Sequence, residues 1–178
     1  MKNLILGICL MIGVNAFSQT AYEKAMTEKI AIVEQHKTPD EFTALANDFK
    51  RIGDKEKTQW LPYYYAAFAT IQKGRMLMRE GKKEELDPIA ADAQKYLDLA
   101  MELNKDHAEN LILQKMIHSL KMMVNPQQRF TSEGMLAAEL SKAEQIDAHN
   151  PRITLMRAED TYYTPEQFGG SKSKGLDL

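Results

Sequence analysis

The residues best suited to chemistry lie in one aromatic run, TQWLPYYYAAF, which holds Trp60, Tyr63, Tyr64, Tyr65 and Phe68. On a helix, three consecutive tyrosines fan across about 200°, so at least one must point away from any single core. An outward tyrosine joins an apolar ring to a polar hydroxyl and suits a peptide or a sugar. Trp60, Tyr63, Tyr64 and Tyr65 are therefore the candidate binding residues. Packing is the competing role, since the large apolar residues of a helix are mostly buried.

The other reactive side chains assemble no site. His36, His107, His118 and His149 include no pair at the helical spacing of a metal site, and neither HExxH nor C-x2-C occurs. Met116, Met122 and Met123 are of a type that binds soft copper, but without a cysteine or a paired His-Met pattern they read as fillers of irregular core gaps. Gly169-Gly170-Ser171-Lys172 lacks the spacing and the preceding strand of a phosphate loop and reads as a linker with a capping serine. Glu84-Glu85 and Glu159-Asp160 read as solvated helix faces, and no Gly-x-Ser-x-Gly is present. No catalytic residue, metal or cofactor is expected, and the chain reads as a non-enzyme.

The elements that must carry these residues follow from a recurring pattern. Ala93, Leu97, Ala100 and Leu103 share offsets with Leu136, Leu140, Ala143 and Ile146, 43 residues later; Leu45, Phe49 and Ile52 form a fainter copy. Each set draws one apolar stripe along a helix and ends at a short polar turn. Such a period implies stacked helix pairs and an all-α array. In this register Tyr64, Ile112 and Leu155 are equivalent core positions, and Ala67 and Ala158 equivalent small contacts. Helices are predicted over 20–37, from Pro39 to about Ile52 with Gly53 as the stop, over 58–80, 88–104, 107–124, 132–148 and 151–162. Thr38-Pro39-Asp40-Glu41 reads as a capping box with proline at the first helical position. Asp87-Pro88, the Asp106-His107-Ala108-Glu109 string and Asn150-Pro151 open later helices, 125–130 reads as a loop, and Thr164–Gln167 could form one capped turn. No strand is predicted.

The string A-x3-L-x2-A-x2-L, followed by a polar turn and a new helix, resembles the second helix of a tetratricopeptide repeat; the likeness runs over about 39–178. The family's usual proline is Lys105 in one copy and Ala148 in the other, and the period exceeds the usual one of about 34 residues. With its leader, the WLPYYYAA stretch and the TPEQFGG segment, the chain also resembles small exported repeat proteins of Gram-negative bacteria. The resemblance implies a tetratricopeptide-like α-solenoid of antiparallel helix pairs whose first helices line a concave face.

Lys2, the apolar run Leu4–Val14 and Ala16-Phe17-Ser18 read as a signal peptide cut after Ser18, leaving a helical-repeat domain over 19–178. Eleven apolar residues are too few to span a bilayer, which needs about 20. Cys9 lies inside this run, so the mature chain has no thiol chemistry. A composition of 44% hydrophobic and 27% charged residues excludes disorder, and a net charge of −2 without a basic block gives nucleic acid no footprint. SKSKGLDL reads as the start of an eighth helix too short to close the array. The final unit is therefore expected to be incomplete, with 164–178 the least ordered part and Ile153, Leu155 or Met156 partly exposed. The function expected is protein or peptide binding on the concave face of a periplasmic or secreted protein, with no stable membrane insertion and with self-association through the open C-terminal end. A small-molecule or glycan-binding role for the Trp60/Tyr63–Tyr65 cluster is the alternative.

Overall fold

The computed structural model describes residues 21–133 and 136–178, with side chains throughout except at 130–138. The proposed leader and its cleavage point lie outside these residues. Nine α-helices and no strand are found among the described residues: α1 (21–31), α2 (Pro39–Glu56), α3 (Leu61–Arg79), α4 (Leu86–Leu103), α5 (Ala108–Val124), α6 (Pro126–Glu133), α7 (Leu136–Ile146), α8 (Pro151–Tyr163) and α9 (Lys172–Leu176). The chain is all-α, as expected. Short connections make successive helices neighbours, and α2 packs on α3, α3 on α4, α4 on α5 and α5 on α7.

Local chemistry sets the helix starts. Thr38 accepts from the N–H of Glu41, whose carboxylate takes the N–H of Thr38 in return, and Pro39 stands at the first position. Asn150 caps α8 through the N–H of Arg152, and Ser171 caps α9 through that of Lys174. Elsewhere the sequence reading needs correction. His107, not Asp106, caps α5, its Nδ1 accepting from the N–H of Glu109. Asp87 does not cap α4; the helix starts at Leu86 after a short turn over Lys83–Glu85, and Asp87 binds Arg129 instead. The predicted loop 125–130 is largely helical, because Pro126 at a first turn costs no hydrogen bond. Gly53 does not stop α2. It lies buried within the helix, where an added Cβ would stand 2.8 Å from the Tyr63 ring, and the stop is Lys57 at φ 56°.

The stripes form the core. Leu45, Phe49, Ala93, Leu97, Ala100, Leu140 and Ala143 are buried, as are Tyr64, Ala67 and Ile112. The last position of two copies is not: Leu103 is 41% and Ile146 48% exposed, since each ends its helix beyond the reach of the neighbour. Leu155 is 54% exposed, so α8 does not keep the predicted register; Ile153 and Met156 face the core instead. One cluster joins α3, α4, α5, α7 and α8, and a second joins α1, α2 and the other side of α3. Helix α9 closes on α8 at Gly175, where an added Cβ would stand 2.8 Å from the Tyr162 backbone nitrogen. No helix of the described residues is long and apolar enough to cross a membrane.

Candidate functional site

Helix α3 lies between the two core clusters, so most of its sides are covered. Tyr63, Tyr64, Ala66, Ala67, Ala69, Thr70, Ile71, Gly74 and Leu77 are all buried. One strip is left open: Tyr65, Phe68, Gln72 and Met76 are half-buried and Arg79 is exposed, at steps of three and four along one face. The segment between α1 and α2 folds against the far half of this strip. Val33, His36, Lys37 and Phe42 on one side, with Phe68, Gln72, Met76 and Arg79 on the other, enclose a groove of about 360 Å³. Val33, Phe42, Phe68 and Met76 give it an apolar part, and Glu34, His36, Lys37, Gln72 and Arg79 a polar one. The His36 ring leans on Phe42, with centroids 5.6 Å apart.

The near half of the strip is fixed by a polar network. The Glu109 carboxylate of α5 accepts from the Tyr64 hydroxyl at 2.5 Å and from Asn150 Nδ2 at 2.8 Å, and pairs with Arg152 Nε at 3.1 Å. One side chain thus ties α3, α5 and the start of α8. Burial, reinforced by the Glu109 charge, drives the Tyr64 phenol far above its ordinary value, so it is a neutral donor at every working pH. Tyr65 is also pushed up by burial, with Arg152 partly opposing. The Arg152 guanidinium lies 5.3 Å over the Phe68 ring, and Tyr65 stacks on Phe49 at 5.2 Å. Two further pairs hold α8: Arg75 to Glu159 at 2.7 Å, and the buried Lys115 to Asp160.

Of the four aromatic residues singled out by sequence, Trp60 meets Tyr64 at 5.7 Å and Tyr64 meets Tyr65 at 5.1 Å between ring centroids, but the four share no one open face. Tyr63 and Tyr64 are core residues at 7% and 3% exposure, and their hydroxyls serve Asp54 and Glu109. Only Trp60 and Tyr65 reach the surface, and the Trp60 ring is packed on His107 at 4.4 Å. The groove residues Phe42, Gln72, Met76, Arg79, His36 and Lys37 were not among the sequence candidates. For Gln72, Met76 and Arg79 the one local trace is their regular spacing with Tyr65 and Phe68 on α3; no local pattern marks His36, Lys37 and Phe42 as their partners. Among the described residues no three His, Cys, Asp or Glu side chains converge as a metal site. His107 uses Nδ1 as its cap, His118 Nε2 lies 3.3 Å from Glu139, and His149 is exposed.

No protein-family model matches the chain, and no curated protein does. Among solved structures it is similar to the HusA haemophore from Porphyromonas gingivalis, with 34% identity and a TM-score of 0.76, over 88% of this chain and 76% of that one. The likeness to a haemophore overturns the expectation of a concave face for proteins or peptides.

Proposed function

We propose that this chain, which belongs to the family of the HusA haemophore, is a non-catalytic capture protein for haem or a closely related tetrapyrrole. The match to a haemophore along nearly the whole chain is the observation that carries this reading. The groove on α3 supports it physically: a flat, largely apolar macrocycle loses water on settling against the half-buried Phe68 and Met76, over a floor that includes Val33 and Phe42. Aromatic and thioether side chains suit such a face, since both are polarisable and adapt to a planar partner. The sequence alternative of a small-molecule site is thereby retained in class but moved along α3, from the Trp60 end to Phe68 and beyond. The leader-like N-terminus supports export to the periplasm or the outside, where such a ligand is met. The buried small-bulky-small stripes support a tetratricopeptide-like origin of the helix pairs.

Titration of the chain from Gln19 with haem, followed by the absorbance of the ligand, tests the reading. Saturable binding at one equivalent is expected, weakened in Phe68→Ala and Met76→Ala. Absorbance that only follows the ligand added, unchanged by the protein, would refute it.

A further inference from the structure

The chain has six arginines, and five of them meet a carboxylate: Arg51 with Asp48, Arg75 with Glu159, Arg129 with Asp87, Arg152 with Glu109 and Arg157 with Glu144. Arg79 does not. It stands on the wall of the groove, and Lys37 stands on the same lining. Among the described residues the Lys37 ammonium reaches the backbone carbonyl of Glu34, at 3.3 Å, and pairs with no carboxylate. Two of the acids nearby in sequence are already engaged. Glu41 accepts the N–H groups of Lys37 and Thr38, and Glu80 pairs with Lys82. Glu34 is the single carboxylate on the lining, so the rim is cationic in a chain whose net charge is −2.

Resting on the haem-class reading above, we infer that Arg79 and Lys37 receive the carboxylate arms of the ligand, with its flat face against Phe68. The placement fits a molecule with one apolar and one acidic end. From Phe68 to Arg79 the strip runs eleven residues, about 16 Å of helix, with the aromatic ring at one end and the guanidinium at the other. A guanidinium offers a planar fork that matches a carboxylate with two parallel bonds, whereas Lys37 adds a mobile point charge. Both groups are exposed when the groove is open, so neither bears a burial penalty before the ligand arrives. Covering by the macrocycle then lowers the local dielectric and strengthens both contacts.

The test compares haem with its dimethyl ester, which keeps the macrocycle and iron but caps both carboxylates. Each is titrated into the chain from Gln19 and into Arg79→Gln, Lys37→Gln and the double variant, in one solvent mixture. The ester is expected to bind the unaltered protein at least about tenfold more weakly than haem, since each charge-assisted contact is worth about a factor of ten. Each variant should lose a similar factor for haem and none for the ester, and higher salt should weaken haem alone. Haem and ester bound equally well, or variants that weaken both alike, would overturn the carboxylate assignment while leaving the capture function standing. Absence of haem binding to the unaltered protein would overturn both. Unchanged thermal melting of the variants, whose altered side chains are exposed, separates lost contacts from lost fold.

Discussion

Glu109 offers the sharpest test of how the open strip of α3 is held. Its carboxylate accepts from the Tyr64 hydroxyl at 2.5 Å, from Asn150 and from Arg152. Tyr64→Phe removes one donor, but the carboxylate keeps its other two partners. The cost should therefore stay near that of a single bond to a charged group, about 1.5 kcal/mol. Glu109→Ala does something different. Asn150 and Arg152 can turn to water, but Tyr64 is a buried residue, only 3% exposed, and its hydroxyl is stranded. An orphaned buried hydroxyl adds about 1–3 kcal/mol to the lost bond, so about 3 kcal/mol in all is expected. In the double variant no hydroxyl remains to strand. Its cost should fall short of the sum of the singles by about 1–3 kcal/mol. Urea unfolding of the chain from Gln19 and its three variants, at matched slope, measures all four values. Additivity within about 0.5 kcal/mol would show that Tyr64 and Glu109 do not depend on each other, and the network would lose its role in fixing α3 to α5.

Three further outcomes are expected. Leu97→Ala and Leu140→Ala should each cost about 2–5 kcal/mol in the same assay, because both side chains are buried in the shared core; Leu103→Ala, on the same stripe but 41% exposed, should cost no more than about 0.5 kcal/mol. The bonds from Arg129 hold the Asp87 carboxyl below its ordinary 3.8, so the link between α4 and α6 is present at neutral pH and fades as pH falls through that lowered value; melting from about pH 7 to about pH 2 should show a shallower acid decline in Asp87→Asn than in the unaltered chain. Gly175→Ala should release α9 from α8, since the new methyl would meet backbone atoms of Tyr162 and Ala158 within 2.9 Å; hydrogen exchange over 172–176 should then rise to that of an unprotected peptide, with α4 unaffected.

How far the sequence could be read depended on whether the information was local. Caps are local, and Thr38 with Glu41, Asn150 and Ser171 all stand where their side chains can reach the next backbone N–H. The stripes are nearly local, and Leu45, Phe49, Ala93, Leu97, Ala100, Leu140 and Ala143 are buried as a 3.6-residue period requires. Errors arose where a residue type has two uses. Proline opens a helix as readily as it ends one, which is why 125–130 looked like a loop. Glycine ends helices but also admits a close neighbour, and Gly53 admits the Tyr63 ring. Extrapolating a repeat also fails at the last unit. Helix α8 is held by the arms of Arg75 and Lys115 and turns Ile153 and Met156 inward, so Leu155 is left outside.

The groove was hidden for a different reason. A helix packed on most sides keeps its apolar residues in the core, and composition alone then favours burial for every aromatic residue on it. That logic is right for Tyr63 and Tyr64, and it drew the candidate site to the densest run of rings. What leaves a surface open on such a helix is the narrow strip that no neighbour covers. On α3 that strip is set by where α2, α4 and α5 happen to lie, which is long-range information absent from any window of sequence. The segment at 33–37 completes the wall from a distant part of the chain. The same geometry explains why Phe68 carries weight in both halves of the site. It stands where the Arg152 network ends and the groove begins, so its ring is braced from one side and open on the other. A ring held in that way loses little freedom when a flat ligand settles on it, and that is the condition under which stacking contributes most to affinity.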